Sequence, residues 1–194
     1  MSSIYVLFQV SEWLWLAFWV LWLVWGAVTT RQRRVVSRGG SMVPVWVIII
    51  AALLWRRGLS GYLLYLPMSA LWPGHPVTVV AGFLIQLLGL AFTVWARYYL
   101  GNLWSGGIVL REGHKVVDTG PYRLVRHPIY SGILLAMLGS FLMDGTVFWL
   151  AVLVLSVIAL LWKAGAEERL LTRELGEEYV NYRRRSRMLI PWVL

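Results

Sequence analysis

The sequence predicts an all-α, polytopic integral membrane protein with about five transmembrane helices and a C-terminal amphipathic helix. Three observations carry this expectation. Of the 194 residues, 59% are hydrophobic and only 14% charged, and the mean hydropathy of +0.68 exceeds what one soluble core of this length can hide. The apolar residues fall in long runs separated by charged or glycine-rich stretches. Several of the 13 tryptophans stand beside charges at the ends of those runs, as Trp55 before Arg56, Trp95 before Arg97 and Trp162 before Lys163, which is the placement of an interfacial aromatic belt.

Residues 4–28 are apolar except for Gln9, Ser11 and Glu12, and at ~1.5 Å per residue they span a hydrocarbon layer of ~30 Å. This run is too long for a secretion signal and lacks a basic leader and a small-residue cleavage site, so it reads as a first span. Arg31, Arg33, Arg34 and Arg38 follow with no acid among them. Residues 42–55 read as a short second span. Gly58, Gly61, Pro67, Pro73 and Gly74 then interrupt residues 58–75 too often for another crossing, which suggests a re-entrant or interfacial connector. Residues 77–100 form a third span in which Gly82 and Gly89, a heptad apart, offer a small face for close helix packing. Residues 101–126 are the longest loop.

Two apolar runs, 129–143 and 146–162, are separated by Asp144-Gly145, a tight-turn signal, and should form an antiparallel hairpin of two short spans. Beyond them Leu171, Leu175, Tyr179 and Tyr182 recur at helical spacing among charges, the pattern of one amphipathic tail helix. Basic residues number four in the first loop, two in the second, five from Arg97 to Arg126 and seven in the tail. Five crossings with the amino end outside keep the richest of these segments cytoplasmic. The net charge of +9 therefore reads as an orientation signal that meets anionic lipid, and not as a nucleic-acid surface. Absence of cysteine excludes disulfides, thiolate metal sites and cysteine nucleophiles, and no metal site is expected.

Polar chemistry concentrates in the third loop and the tail, which hold two of the three histidines and seven of the nine acids. The densest segment runs from Gly113 through His114, Lys115, Tyr122, Arg123, Arg126 and His127 into Pro128-Ile129-Tyr130-Ser131-Gly132. One reading is structural: Pro128 starts a helix and the arginines snorkel to headgroups. The other is that amides at this helix start, with His127 and Tyr130, line a pocket for a polar ligand. A second dense segment holds Lys163 and Glu167, four apart and on one face if the helix continues. An exposed pair of this kind is worth little. Five residues past Trp162, however, an acid needs a partner or a task.

The order Gly-Pro-Tyr, Arg-His-Pro-Ile-Tyr-Ser-Gly, a helical hairpin, Glu167-Glu168, Gly176-Glu177-Glu178-Tyr179 and Tyr182-Arg183 resembles the isoprenylcysteine carboxyl methyltransferases and the wider group of membrane phospholipid methyltransferases. The resemblance covers roughly the carboxy-terminal half, residues 107–191. It implies one membrane-embedded methyltransferase domain over residues 1–194. Residues 1–100 would supply three spans and the connector, and residues 101–194 the catalytic part, including a cofactor-binding loop. It implies S-adenosylmethionine as cofactor, leaving as S-adenosylhomocysteine, with no metal. The positions matching the cofactor site are His114, Lys115, Val116, Val117, Tyr122, His127, Pro128, Ile129, Tyr130 and Glu167. Lys163 falls where the family places a basic substrate-binding residue, often an arginine with bidentate geometry that lysine lacks. Arg173 is a further substrate-binding and catalytic candidate beside Glu167, from which it lies about 120° round the helix.

The implied reaction methylates the terminal carboxylate of a prenylated cysteine. The cofactor is cationic, so its pocket needs an acid, hydrogen-bond partners and an aromatic wall, and Glu167, His127, Tyr122 and Tyr130 supply that set. No glycine-rich dinucleotide fingerprint follows a strand, so helices and loop must hold it. A carboxylate is already ionised at neutral pH and needs no general base, only in-line placement. The implied partners are a lipophilic prenylcysteine or prenylated protein arriving through the bilayer and membrane lipids, with no obligate protein partner. Two alternatives remain: an N-methyltransferase acting on a phospholipid amine, which needs a base, and a non-catalytic lipid-binding or assembly protein.

Overall fold

Lipid offers the backbone no hydrogen-bond partners, so long apolar runs must satisfy their own amides and become helices. In the computed structural model, which describes residues 3–30, 35–40, 71–72, 74–104, 108–111 and 116–191, they do so. Helices α1 (Ser3–Thr30), α2 (Pro76–Leu100) and α4 (Val147–Leu175) are each long and apolar enough to cross a membrane, and α3 (Pro128–Asp144) is a shorter apolar helix. A short helix, α5 (Glu177–Arg185), carries the tail. The chain is a polytopic, almost wholly helical membrane protein. The expected second span, residues 42–55, and residues 58–70 of the expected connector lie outside the described residues.

Helices α2 and α3 pack most closely, and the small face expected at Gly82 and Gly89 is the reason. A Cβ on Gly82 would stand 2.6 Å from the carbonyl oxygen of Gly139, and one on Gly89 would stand 2.6 Å from that of Gly132. The glycine heptad of α2 therefore meets a second glycine heptad on α3. Helix α1 is fastened to this pair by polar groups that lipid cannot solvate: Ser11 Oγ donates to Gln86 Oε1 (2.7 Å) and Trp15 Nε1 donates to Ser140 Oγ (3.0 Å). Further along α1, Trp15, Phe18, Trp19 and Trp22 form an aromatic column ending against Trp104. Arg97, fully buried in the last turn of α2, lies 4.1 Å from the Trp104 ring centroid and 4.6 Å from that of Trp25, a cation–π setting that shields its charge from lipid.

Three features differ from expectation. The hairpin turn at Asp144-Gly145 forms, with Gly145 left-handed at φ 68°, but the span after it is not short: α4 continues unbroken through Lys163 and Glu167 to Leu175. The tail pattern, expected as one amphipathic helix, is split at Gly176, whose φ of +57° ends α4 and starts α5, so Leu171 and Leu175 belong to one helix and Tyr179 and Tyr182 to the next. Finally, two short strands appear, β1 (Val35–Gly40) pairing antiparallel with β2 (Ile108–Arg111). Each contains adjacent β-branched residues, too short a run to register as a strand in sequence. The pairing brings the first and third loops together, beside α4.

The tail closes on the same end of the bundle. The amides of Arg126 and His127 donate to the carbonyls of Arg187 (2.7 Å) and Met188 (3.0 Å), and Ser131 Oγ donates to the carbonyl of Leu189 (2.6 Å). The arginine-rich segments thus gather at one end, while His75 capping α2 and the Asp144-Gly145 turn mark the other.

Candidate active site

Pro128 sits at the first position of α3, where its missing N–H costs nothing, and this leaves His127 as the residue before the helix with its ring turned inward and buried. One turn on, Tyr130 presents its ring parallel to that of His127, with centroids 5.2 Å apart and an interplanar angle of 3°. The opposite wall is α4. Its inward stripe runs Trp149, Val152, Ser156, Leu160 and Ala164, and the same face carries Lys163 and Glu168.

Because α4 does not end at Trp162, Lys163 and Glu167 share a face and pair at 2.9 Å. Lys163 Nζ also donates to Tyr130 Oη (2.6 Å), and Tyr130 Oη donates to Glu167 Oε2 (2.7 Å), closing a triangle of lysine, phenol and carboxylate. The ammonium lies 5.0 Å from the Tyr130 ring centroid. His127 Nδ1 is 3.5 Å from Glu167 Oε2 and its Nε2 is 3.3 Å from Glu168 Oε1. Only a protonated imidazole can donate from both nitrogens. Burial favours the neutral ring, but hydrogen bonds and charge from Glu167 and then Glu168 outweigh it, raising the His127 pKa above its usual value.

Glu168 lies deeper than Glu167, its side chain 3% exposed against 20%. It accepts from Arg126 Nε (2.6 Å) and Arg183 Nε (3.1 Å), tying the start of α3 and the tail helix to α4. Arg126 also donates to the carbonyls of Arg183 and Ser186. Tyr182, buried on α5, donates to the carbonyl of Tyr122 (2.7 Å), fixing the turn Gly120–Arg123.

Of the residues expected to bind cofactor, His127, Tyr130 and Glu167 meet directly, with Pro128 and Ile129 buried between the first two. Tyr122 is buried in the adjoining core, and Val117 packs against that core. The amide of Val116 donates to Glu178 (3.4 Å). His114 and Lys115 lie outside the described residues. Lys163 is central to the cluster. Arg173 is largely exposed and paired with its neighbour Glu174 (2.7 Å), and no described contact joins it to the cluster. Just before α3 the amides of Arg126 and His127 are taken by tail carbonyls, and in its first turn that of Tyr130 is taken by the carbonyl of His127.

Sequence reasoning missed Glu168 and Arg126 as a buried clamp. A signal was present: Glu168 continues the spacing of Leu160 and Ala164, both fully buried, so the stripe that hides those residues also hides this carboxylate.

The family model for phospholipid methyltransferases matches residues 77–178, more than half of the chain. A methanethiol S-methyltransferase from a Pseudomonas strain is 30% identical over 151 residues, covering 76% of this chain and 50% of the relative. Methanethiol S-methyltransferase 1 from Bradyrhizobium diazoefficiens is 28% identical over 157 residues, covering 69% and 54%. Protein-S-isoprenylcysteine O-methyltransferase B from Arabidopsis thaliana is 29% identical over 119 residues, covering 58% of each chain. The chain spans about half the length of the curated relatives it matches.

Proposed function

The chain belongs to the phospholipid methyltransferase family, and on that premise we propose that it transfers a methyl group from S-adenosylmethionine to the terminal carboxylate of a prenylated cysteine at the membrane boundary. The observation that carries this reading is the buried triangle of Lys163, Tyr130 and Glu167 beside His127. S-adenosylmethionine, when bound, supplies an electrophilic methyl group on a sulfonium cation. Glu167 suits it as the cluster's partly exposed carboxylate, with the Tyr130 ring as an aromatic wall.

Lys163 has three N–H donors, of which Tyr130 and Glu167 take two, leaving one for an acceptor oxygen. An acceptor carboxylate would offset the sulfonium charge in a cluster where Lys163 and His127 already face Glu167. A neutral amine acceptor would leave a buried positive charge over, which argues against the phospholipid-amine alternative. The carboxylate carries no proton to remove, so His127 acts by holding the two glutamates apart and oriented, without taking a proton. The aromatic column of α1 excludes water from the neighbouring core. The arginine-rich end of the bundle, and the site with it, is assigned to the cytoplasmic face by the excess of basic residues there.

A second reading makes the acceptor a small thiol reacting as thiolate. The names of two relatives favour it, and a thiolate balances the charge equally well. It requires loss of a proton from a group with pKa ~8.5.

Membranes containing the protein, given methyl-labelled S-adenosylmethionine and N-acetyl farnesylcysteine, a short alkyl thiol or phosphatidylethanolamine, separate these readings. We expect label in a base-labile ester that releases labelled methanol, lost in Lys163→Met and Glu167→Gln. Label in a base-stable thioether or in the phospholipid would overturn the carboxylate reading, and no label on any acceptor would overturn methyl transfer to this set.

A further inference from the structure

Beside the clamp, on the outer side of the tail, lies a groove of about 520 Å³ lined by Arg126, Arg183, Arg184, Arg187, Val180 and Met188. Four arginines contribute to its lining, and of these Glu168 pairs with Arg126 and Arg183. No acid among the described residues pairs with Arg184 or Arg187, while Arg185 turns the other way to Asp118 (2.6 Å). Such a concentration of cations around a concavity calls for an anion. Its depth and surroundings say which kind. Arg126 stands immediately before α3 and Glu168 lies within two turns of exposed Trp162, so the groove sits at the level of lipid headgroups. Val180 and Met188 give the groove an apolar part of its lining that a free aqueous anion would not need.

We propose that this groove binds the phosphodiester headgroup of an anionic phospholipid, with the lipid's apolar part against Val180 and Met188. Guanidinium forks match phosphate oxygens bidentately, which a diffuse surface charge does not. Occupancy draws Arg126 and Arg183 together around one anion and so supports the clamp on Glu168 and, through it, His127. The proposal is independent of which acceptor is methylated.

The test is thermal unfolding of the full chain in neutral detergent, titrated with dioctanoyl phosphatidylglycerol, dioctanoyl phosphatidylcholine or glycerol phosphate. Phosphatidylglycerol should raise the midpoint saturably, with apparent affinity falling about fivefold in Arg184→Gln or Arg187→Gln and about 25-fold in the double variant. Arg169→Gln, which removes an exposed charge elsewhere on α4, should leave the affinity unchanged. An equal loss in Arg169→Gln means diffuse attraction and overturns the site. Equal stabilisation by phosphatidylcholine, or by glycerol phosphate alone, overturns the anionic-lipid assignment. Should the double variant not fold, either single variant decides the matter by the same criterion.

Discussion

Removing Glu168 tests whether the buried clamp holds the site together. Its side chain is 3% exposed and faces Arg126 Nε at 2.6 Å, Arg183 Nε at 3.1 Å and His127 Nε2 at 3.3 Å. These partners are not equivalent. Arg183 is 45% exposed and can turn to water, so its share is that of a surface pair, about 0–1 kcal/mol. Arg126 is 9% exposed and remains buried without a counter-charge in Glu168→Ala, a situation that costs about 3–5 kcal/mol. For a chain of this size that lowers the unfolding midpoint by about 6–20 °C. Glu168→Ala, Arg183→Ala and the double variant Glu168→Leu with Arg126→Met should be compared in mild detergent, followed by tryptophan fluorescence. We expect a large drop, a small drop and partial recovery, respectively. Recovery is incomplete because Arg126 also bonds the carbonyls of Arg183 and Ser186. If Glu168→Ala falls by less than 2 °C, or Arg183→Ala falls as far, the unequal burial of the two arginines does not control the clamp.

Gly89→Ala places a Cβ 2.6 Å from the Gly132 carbonyl oxygen and should cost about 1–3 kcal/mol, whereas Gly165→Ala, whose Cβ meets nothing nearer than Arg169 at 3.5 Å, should be neutral or slightly stabilising; equal midpoints for both would contradict close α2–α3 packing. The His127 pKa is raised on folding, so its contribution is full below the unfolded value near ~6.5 and is lost as pH rises through the folded value. The stability difference between parent and His127→Gln should therefore shrink from pH 6 to pH 9, and a difference that grows would reverse the assigned sign. Tyr130→Phe removes the hydroxyl shared by Lys163 and Glu167 and should lower kcat/KM for methyl transfer about tenfold; parental kinetics would remove the triangle from the mechanism.

What the sequence determined by itself is what lipid makes local. A run such as residues 77–100 must be helical because its amides have no partner but each other, and the spacing of Gly82 with Gly89 and of Lys163 with Glu167 follows from the helix alone. The hairpin turn at Asp144-Gly145 is equally local, since left-handed backbone favours glycine. His127, Tyr130 and Glu167 could be nominated by residue type and position near the boundary, and they meet. Tertiary structure alone decided the rest. Whether α4 stopped at Trp162 or ran on to Leu175 depended on Lys163 and Glu167 finding Tyr130 and His127 on another helix, which makes their burial affordable. The clamp joins Arg126, Glu168 and Arg183 across separations of 42 and 15 residues, and the tail carbonyls reach Arg126 and His127 over about 60 more. No local pattern records such pairings, because the penalty for a buried charge or an unmet amide is relieved only by whichever group the fold brings to it.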